Sequence, residues 1–213
     1  MPNKVSVIIP AYNEGKRISD VLANILYYDY EVIVIDDGST DNTIDVSRGL
    51  GARVVCQKRS GYISAIKNGF AHATGDIVVT LDADGEHNPN EIPRIINPIL
   101  KNKADVVLGK RNYIPRPSER FLNWITSFKI PLHDTGTGFR AIKRNFALKL
   151  NIPGKCICGT SVLEYYHLGA RVAEVPISIK PVDKPRKIAW EHIVQFFYVM
   201  KLLLKQLDAS RFA

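Results

Sequence analysis

Cysteine is scarce in this chain, with 3 among 213 residues, which is too few for a disulfide framework. Cys156 and Cys158 stand two apart, and no Cys or His pair lies at metal-ligand spacing from them, so they are read as buried or incidental thiols rather than a zinc site. Long apolar runs are lacking as well. No window of about 18 uninterrupted apolar residues occurs, so no transmembrane helix is expected. Nothing like a secretory leader precedes the strand-like run Val5-Ser6-Val7-Ile8-Ile9. A reducing, cytoplasmic compartment is therefore the expectation. Internal repeats and low-complexity tracts are missing too. Hydrophobic residues at 46% and charged residues at 23% are ordinary for a folded domain and exclude global disorder. The length fits one α/β domain with a sizeable core.

Acid is scarce in one half only. Residues 1–50 carry 4 Lys/Arg against 8 Asp/Glu, residues 101–150 carry 11 against 3, and residues 151–213 carry 9 against 5. A net charge of +8 so distributed points to an anionic partner held by the second half. Nucleic acid, anionic lipid and a phosphorylated substrate are all compatible with charge alone, as is a solvated basic surface.

What is present is an alternation of short β-branched runs with helical stretches. Strands are predicted at 5–9, 31–35, 53–56, 76–81 and 104–108, with helices near 17–26, 41–49, 61–72 and 89–100. This pattern predicts a Rossmann-like, mainly parallel α/β sheet with helices on both faces. Beyond residue 109 the alternation breaks. Residues 111–120 read as a Pro/Arg-rich loop, 121–128 as a short helix, 134–140 as a small-residue loop and 171–179 as one more strand. Over 188–207, Trp190, Ile193, Val194, Phe197, Met200, Leu204 and Leu207 share one helical face.

Polar clusters fall at the carboxyl ends of the predicted strands, where open sheets of this type bind ligands. Asp82-Ala83-Asp84 follows the fourth strand. Two carboxylates at i and i+2 on a turn can face one hard cation such as Mg²⁺ or Mn²⁺, leaving positions open for phosphate oxygens. A diphosphate leaving group needs that neutralisation. Glu86 is a further ligand candidate, whereas His87 is expected to be a solvent-exposed loop residue. Asp36 and Asp37 end the second strand, where a carboxylate can accept hydrogen bonds from a base or ribose; Gly38 permits the turn and Asp41 can cap the next helix. After the first strand come Pro10, Ala11, Tyr12, Asn13 and Glu14, with Tyr12 able to border a base.

Taken together these segments resemble the family 2 glycosyltransferases of the GT-A fold, and within them the dolichol-phosphate (polyprenyl-phosphate) sugar synthases. The resemblance rests on 7–14, 34–41, 68–76 and 81–84, and more weakly on 105–111, 137–141 and 173–177. It implies an inverting, metal-dependent transfer of a hexose from a nucleotide sugar to a polyprenyl phosphate, over a domain at 1–187 with a donor half at 1–109 and a smaller acceptor-side subregion at 110–187. Pro10, Ala11, Tyr12, Glu14, Asp36, Asp37, Asp82 and Ala83 would line the donor pocket. Asp82, Asp84 and Glu86 would hold the cation, Glu86 standing where such synthases usually have Gln. Asp84, Asp134, Arg111 and Arg140 would act at the reacting centre, with Asp134 the base if the acceptor is a sugar hydroxyl of a lipid-linked or soluble glycan.

A lipid phosphate needs no base but needs cations, and Arg111, Arg116, Arg120, Lys129, Arg140, Lys143 and Arg144 supply a set of which part is expected to be solvated surface. Lys184, Arg186 and Lys187 match a basic segment that can close over phosphates. The C-terminal amphipathic helix, 188–213, is expected to cover the sheet, join a second subunit in a homo-oligomer, or touch the cytoplasmic face of a membrane. A nucleic-acid partner is not expected, because it leaves the acidic strand ends without a role and no aromatics interleave with the basic residues. An inactive nucleotide-sugar-binding scaffold is disfavoured by the intact Asp82 and Asp84.

Overall fold

The computed structural model describes residues 4–114, 116–180, 182 and 189–205. The first half winds as β1 (Val5–Ala11), α1 (Ile18–Ile25), β2 (Glu31–Asp36), α2 (Thr43–Gly49), β3 (Arg53–Cys56), α3 (Tyr62–His72) and β4 (Ile77–Thr80). A 3₁₀ turn at Pro89–Glu91 leads into α4 (Ile92–Leu100), then come β5 (Val106–Arg111) and α5 (Pro117–Ser127). The remainder is β6 (Arg140–Lys143), α6 (Arg144–Ala147), α7 (Thr160–His167), β7 (Val172–Ile177) and α8 (Ala189–Leu204).

The seven strands form one sheet in the order β3-β2-β1-β4-β6-β5-β7. Every pairing is parallel except those of β6, which runs antiparallel to both β4 and β5. Strand residues alternate between two cores. Ile8, Ile33 and Ile35 face one side, packed with residues of α3, α5, α7 and α8, while Val7, Ile9, Val32 and Val34 face α1 and α4 on the other. Helices thus cover both faces, which is why these strands read as continuous apolar runs. The chain leaves β1 toward β2 on one side and pairs β4 on the other, so the carboxyl ends of β1, β2 and β4 surround a topological switch point.

Three expectations shift. The 134–140 stretch leads into β6, a four-residue strand too short to show a period and stabilised by partners on both edges. The strand foreseen at 104–108 instead runs to Arg111, since Lys110 and Arg111 pair with Pro176 and Ile177 of β7. The loop foreseen at 111–120 is helical from Pro117, a residue suited to a first helical turn because its missing N–H has no intrahelical partner there.

The last helix buries a different face from the one foreseen. His192, Gln195, Val199 and Leu202 are buried, while Ile193, Phe197 and Leu204 are exposed. The exposed residues continue an apolar surface formed by Phe121 and Trp124 of α5 and Phe128 just after it, joined through ring contacts of Phe121 with Trp124 and Phe196 and of Phe196 with Phe197. Leu207, Lys184, Arg186 and Lys187 lie outside the described residues. Among the described residues no helix is long and apolar enough to cross a membrane.

Asp105 ties β5, β6 and β7 together. Its carboxylate receives Lys143 Nζ at 2.7 Å and Arg171 Nε at 2.9 Å, and the Arg171 hydrogen bonds hold its pKa well below the ordinary Asp range despite partial desolvation. A depressed folded-state pKa contributes stability above the ordinary Asp range and loses it as the pH falls toward the folded value. Asp105→Asn is therefore expected to lower the melting temperature at neutral pH, with the two proteins converging in acid. A melting-temperature gap constant from pH 7 down to the acid limb would contradict this.

Candidate active site

The switch point opens into a cavity of about 490 Å³. At its β1 side, Pro10, Ala11, Tyr12 and Glu14 line the wall together with Asp37 and Arg59. Asp37 is held by four donors. Gln57 Nε2 and the Ser60 N–H donate to Oδ1 at 2.8 Å each, and Arg59 Nη1 at 2.7 Å and the Gly61 N–H at 2.9 Å donate to Oδ2. Desolvation pushes the Asp37 pKa up, but these bonds and Arg59 outweigh it and hold the group below its usual value. The Arg59 guanidinium also lies 3.3 Å from the Tyr12 ring centroid, fixing an aromatic wall beside the acid. Asp36 is placed differently from the expectation. It is buried behind the wall, and Oδ2 accepts from the Gly38 and Ser39 N–H groups at 3.1 Å, shaping the turn that Gly38 (φ 77°) allows.

The β4 side carries Asp82, Ala83, Asp84 and Glu86. Tyr62 Oη donates to Asp82 Oδ1 at 3.0 Å. Desolvation in the cavity wall, with Asp82 beside it, pushes the Tyr62 pKa well above its usual value, so the phenol keeps the proton it donates. Asp84 Oδ1 accepts the Glu86 N–H at 3.1 Å, closing the turn. The small-residue loop before β6 explains itself here. A Cβ on Gly138 would sit 2.6 Å from Asp82 Cγ, and one on Gly136 would sit 2.9 Å from Glu119 Cδ. Each glycine leaves room for one carboxylate. His87, foreseen as solvent-exposed, is instead buried against Phe139 and lines the cavity. Its Nδ1 is 3.7 Å from Asp82 Oδ2, and neither ring nitrogen has a hydrogen-bond partner among the described residues. The only local sequence signal for His87 was its place three residues after Asp84. Its burial comes from a long-range bridge to Ile179. Hard carboxylate oxygens with an unpartnered imidazole beside them fit a divalent cation such as Mg²⁺ or Mn²⁺.

The far end of the cavity is lined by Arg111, Arg116, Glu119 and Lys155. Arg111 is clamped. Its Nε and Nη2 donate to Asp134 at 2.7 and 2.8 Å and Nη2 donates to Glu119 at 2.6 Å. Burial opposes the charge, but the two carboxylates prevail and raise the Arg111 pKa above its usual value. Asp134 is fully buried outside the cavity lining, with both oxygens accepting hydrogen bonds from Arg111 and its backbone N–H held by Glu174 at 2.7 Å. That arrangement makes it the residue that orients Arg111 rather than a base facing a substrate.

Arg140 is likewise buried away from the cavity, donating to the Thr137 and Thr135 carbonyls and to Ser161 Oγ. Of the other cations foreseen for an anion site, Lys143 pairs Asp105, Arg144 donates to the Ala73 carbonyl, Lys129 lies near Tyr166 and Arg120 is exposed. Arg116 does line the cavity, and its buried Nε has no partner among the described residues. Lys155, which the sequence did not single out, comes from the loop before α7.

A family model described as Glycosyl transferase family 2 matches residues 6–165. An uncharacterized glycosyltransferase of Mycobacterium bovis is 33% identical over 158 residues, 70% of this chain and 71% of that one. A dolichol-phosphate mannosyltransferase of Pyrococcus furiosus is 38% identical over 117 residues, 51% of this chain and 33% of that protein. An undecaprenyl-phosphate 4-deoxy-4-formamido-L-arabinose transferase of Enterobacter is 38% identical over 132 residues and is covered over 40% of its length. The chain thus spans well under half of these last two relatives. Glucosyl-3-phosphoglycerate synthase from Mycobacterium tuberculosis, solved with phosphoglyceric acid, superposes with a TM-score of 0.84 over 94% of this chain and 80% of that chain, at 23% identity. The same synthase solved with Mn²⁺ and uridine-diphosphate-glucose gives a TM-score of 0.82 at 22% identity. At these identities the likeness is one of fold. With the mainly parallel sheet, the acidic strand ends at its switch point and the match over residues 6–165, the chain belongs to the family 2 glycosyltransferases and has their GT-A fold.

Proposed function

We propose that this chain is an inverting hexosyltransferase that moves one sugar from a nucleoside diphosphate donor to a polyprenyl phosphate. The observation that carries the reading is one continuous cavity with two unlike ends. Along the sheet order β2-β1-β4-β6-β5, Asp37 and Tyr12 come first, Asp82 and Asp84 follow and Arg111 comes last, with Arg116 and Lys155 in the same lining. Residues 1–109 then form the donor half and 110–187 the acceptor half. Tyr12 stacks on the base, and Asp37 accepts from base or ribose. Asp82, Asp84 and Glu86 would hold a divalent cation, which would supply the positive charge that a departing diphosphate needs. The acceptor oxygen attacks the anomeric carbon in line as the carbon–oxygen bond to the diphosphate breaks, and the nucleoside diphosphate leaves with the bonding pair. Arg111, oriented by Asp134 and Glu119, and Arg116 hold the anionic acceptor against the donor.

The names of the two partial relatives support a polyprenyl-phosphate acceptor. So does the exposed apolar surface of α5 and α8, whose first turns border the cavity through Glu119, Glu191 and His192. A lipid tail leaving the cavity along that surface meets the cytoplasmic membrane face. A second reading, transfer to a glycan hydroxyl, is favoured by one feature: Glu119, unlike Asp134, is a carboxylate in the cavity lining, and with Oε1 taken by Arg111 its Oε2 would be the base.

The test is product formation from a panel of nucleotide sugars with Mg²⁺ or Mn²⁺ and polyprenyl phosphate. Arg116→Ala is expected to raise the acceptor KM by about ten- to a hundred-fold, the worth of a charge-assisted hydrogen bond, with little change in donor KM. Glycosylation of a hydroxyl acceptor alone would favour the second reading, and no turnover with any donor would refute both.

A further inference from the structure

Cys156, Cys158 and His192 come together in the cavity wall. Their donor atoms all lie within 4.8 Å of one another, and Cys158 Sγ is 3.9 Å from His192 Nε2. Among the described residues this is the one group of three His, Cys, Asp or Glu donors that converges so closely. Spacing along the chain hides it, because the histidine is 34 residues beyond Cys158 and on a different element.

We propose that these three residues bind one thiophilic divalent cation, Zn²⁺ being the candidate, at a second metal site distinct from the carboxylates of Asp82 and Asp84. The geometry is close to what the ion requires. Zinc–sulfur bonds of about 2.3 Å and zinc–nitrogen bonds of about 2.0–2.1 Å at a tetrahedral angle set the donors about 3.6–3.8 Å apart. The 4.8 Å bound on the donor atoms is within about 1 Å of that spacing, and Cys156 is half-buried rather than enclosed in the core. The donor set is soft, two sulfurs and an imidazole, and selects against the hard cations suited to Asp82 and Asp84.

Outer contacts are built around the donors as well. Ser118 Oγ is 2.7 Å from His192 Nδ1. With Nδ1 donating to that hydroxyl, Nε2 keeps its lone pair toward Cys158, the usual support for a metal-binding histidine. The loop carrying both cysteines is clamped by the buried Gln195, one turn beyond His192 on α8. Its Oε1 accepts the Lys155 N–H at 2.9 Å, and its Nε2 donates to the Cys156 and Cys158 carbonyls at 2.7 and 3.1 Å. One face of α8 thus supplies a ligand and sets the backbone of the other two. Three protein donors leave the fourth tetrahedral position to water or to an anionic oxygen from the cavity.

The test uses the whole chain, reduced and metal-free, with the exposed Cys56 replaced by serine so that it cannot contribute. Cd²⁺ is titrated as the spectroscopic probe and Zn²⁺ as competitor. The expected result is a sulfur-to-cadmium charge-transfer absorption that saturates at one equivalent, is displaced by Zn²⁺, and is unaffected by excess Mg²⁺. The Cys156→Ser/Cys158→Ser double variant should abolish it. Ser118→Ala leaves every ligand in place and should weaken affinity by about 10–100-fold, the usual effect of losing such a support. Circular dichroism checks that each variant folds. Absence of a saturable band, its persistence in the double variant, or Ser118→Ala binding as tightly as the parent would overturn the proposal. So would a Cys156–Cys158 disulfide that persists under reductant and excludes metal.

Discussion

Asp82→Asn and Asp84→Asn are each expected to lower kcat/KM by about a thousand-fold, with the fold intact. Both carboxylates sit on the turn after β4 in the middle of the cavity, and Asp82 is pinned by Tyr62 at 3.0 Å. Asparagine keeps the shape and loses the charge. Losing a cation that neutralises a leaving diphosphate removes several kcal/mol of transition-state stabilisation, and about 1.4 kcal/mol is a factor of ten in rate. Tyr62 provides an internal check. Its proton is held partly by the charge on Asp82, so Asp82→Asn should lower the Tyr62 pKa while Asp84→Asn lowers it less. Steady-state kinetics across Mg²⁺ and Mn²⁺ concentrations, with melting temperatures, separate lost catalysis from lost structure. Full activity in either variant would remove that carboxylate from the reaction.

Gly138→Ala should be nearly as damaging, although it deletes no functional group. The new methyl would lie 2.6 Å from Asp82 Cγ, a distance no side chain tolerates. The obstacle is the end of a side chain rather than backbone, so Asp82 moves and the fold survives. Thr80 Oγ1 still donates to the Gly138 carbonyl at 2.7 Å, and β6 still pairs β4. A displacement of about 1 Å at a reacting centre can cost about a hundred-fold in rate. The expected signature is a hundred-fold loss in kcat/KM, a raised requirement for divalent cation, and a melting temperature within a few degrees of the parent. Gly136→Ala presses instead on Glu119 and should act on the acceptor KM. If Gly138→Ala is fully active, Asp82 does not need the position in which it is held.

The proposed donor end of the site was legible in the sequence because it is local. Pro10 to Glu14, Asp36-Asp37 and Asp82 to Asp84 each follow directly on an apolar run, so the strand ends placed them without knowledge of the rest of the chain. Within those runs only fine placement differed: Asp36 turns inward to its own loop and Asp37 faces the cavity. The proposed acceptor end was less legible. A cluster of basic residues has no period, and burial sorted it. Arg111 and Arg116 line the cavity, whereas Arg140 holds loop carbonyls and Lys143 braces Asp105. Asp134 could be matched to a motif, but its task is set by the geometry of Arg111.

The sequence alone determined the class of fold, the order of the first four strands along the chain, and the acidic turns that follow the first, second and fourth of them. These follow from hydrophobic period and local turn chemistry, which act over a few residues. Tertiary structure alone decided which groups meet. Gly138 makes room for Asp82, Asp134 orients Arg111, His87 goes inside, and His192 joins Cys156 and Cys158. It also decided which face of α8 is buried, since the helix is apolar nearly all round and its partners, not its period, choose the contact. Such pairs are separated by tens of residues, and their distances are fixed only when the sheet closes and the two cores pack.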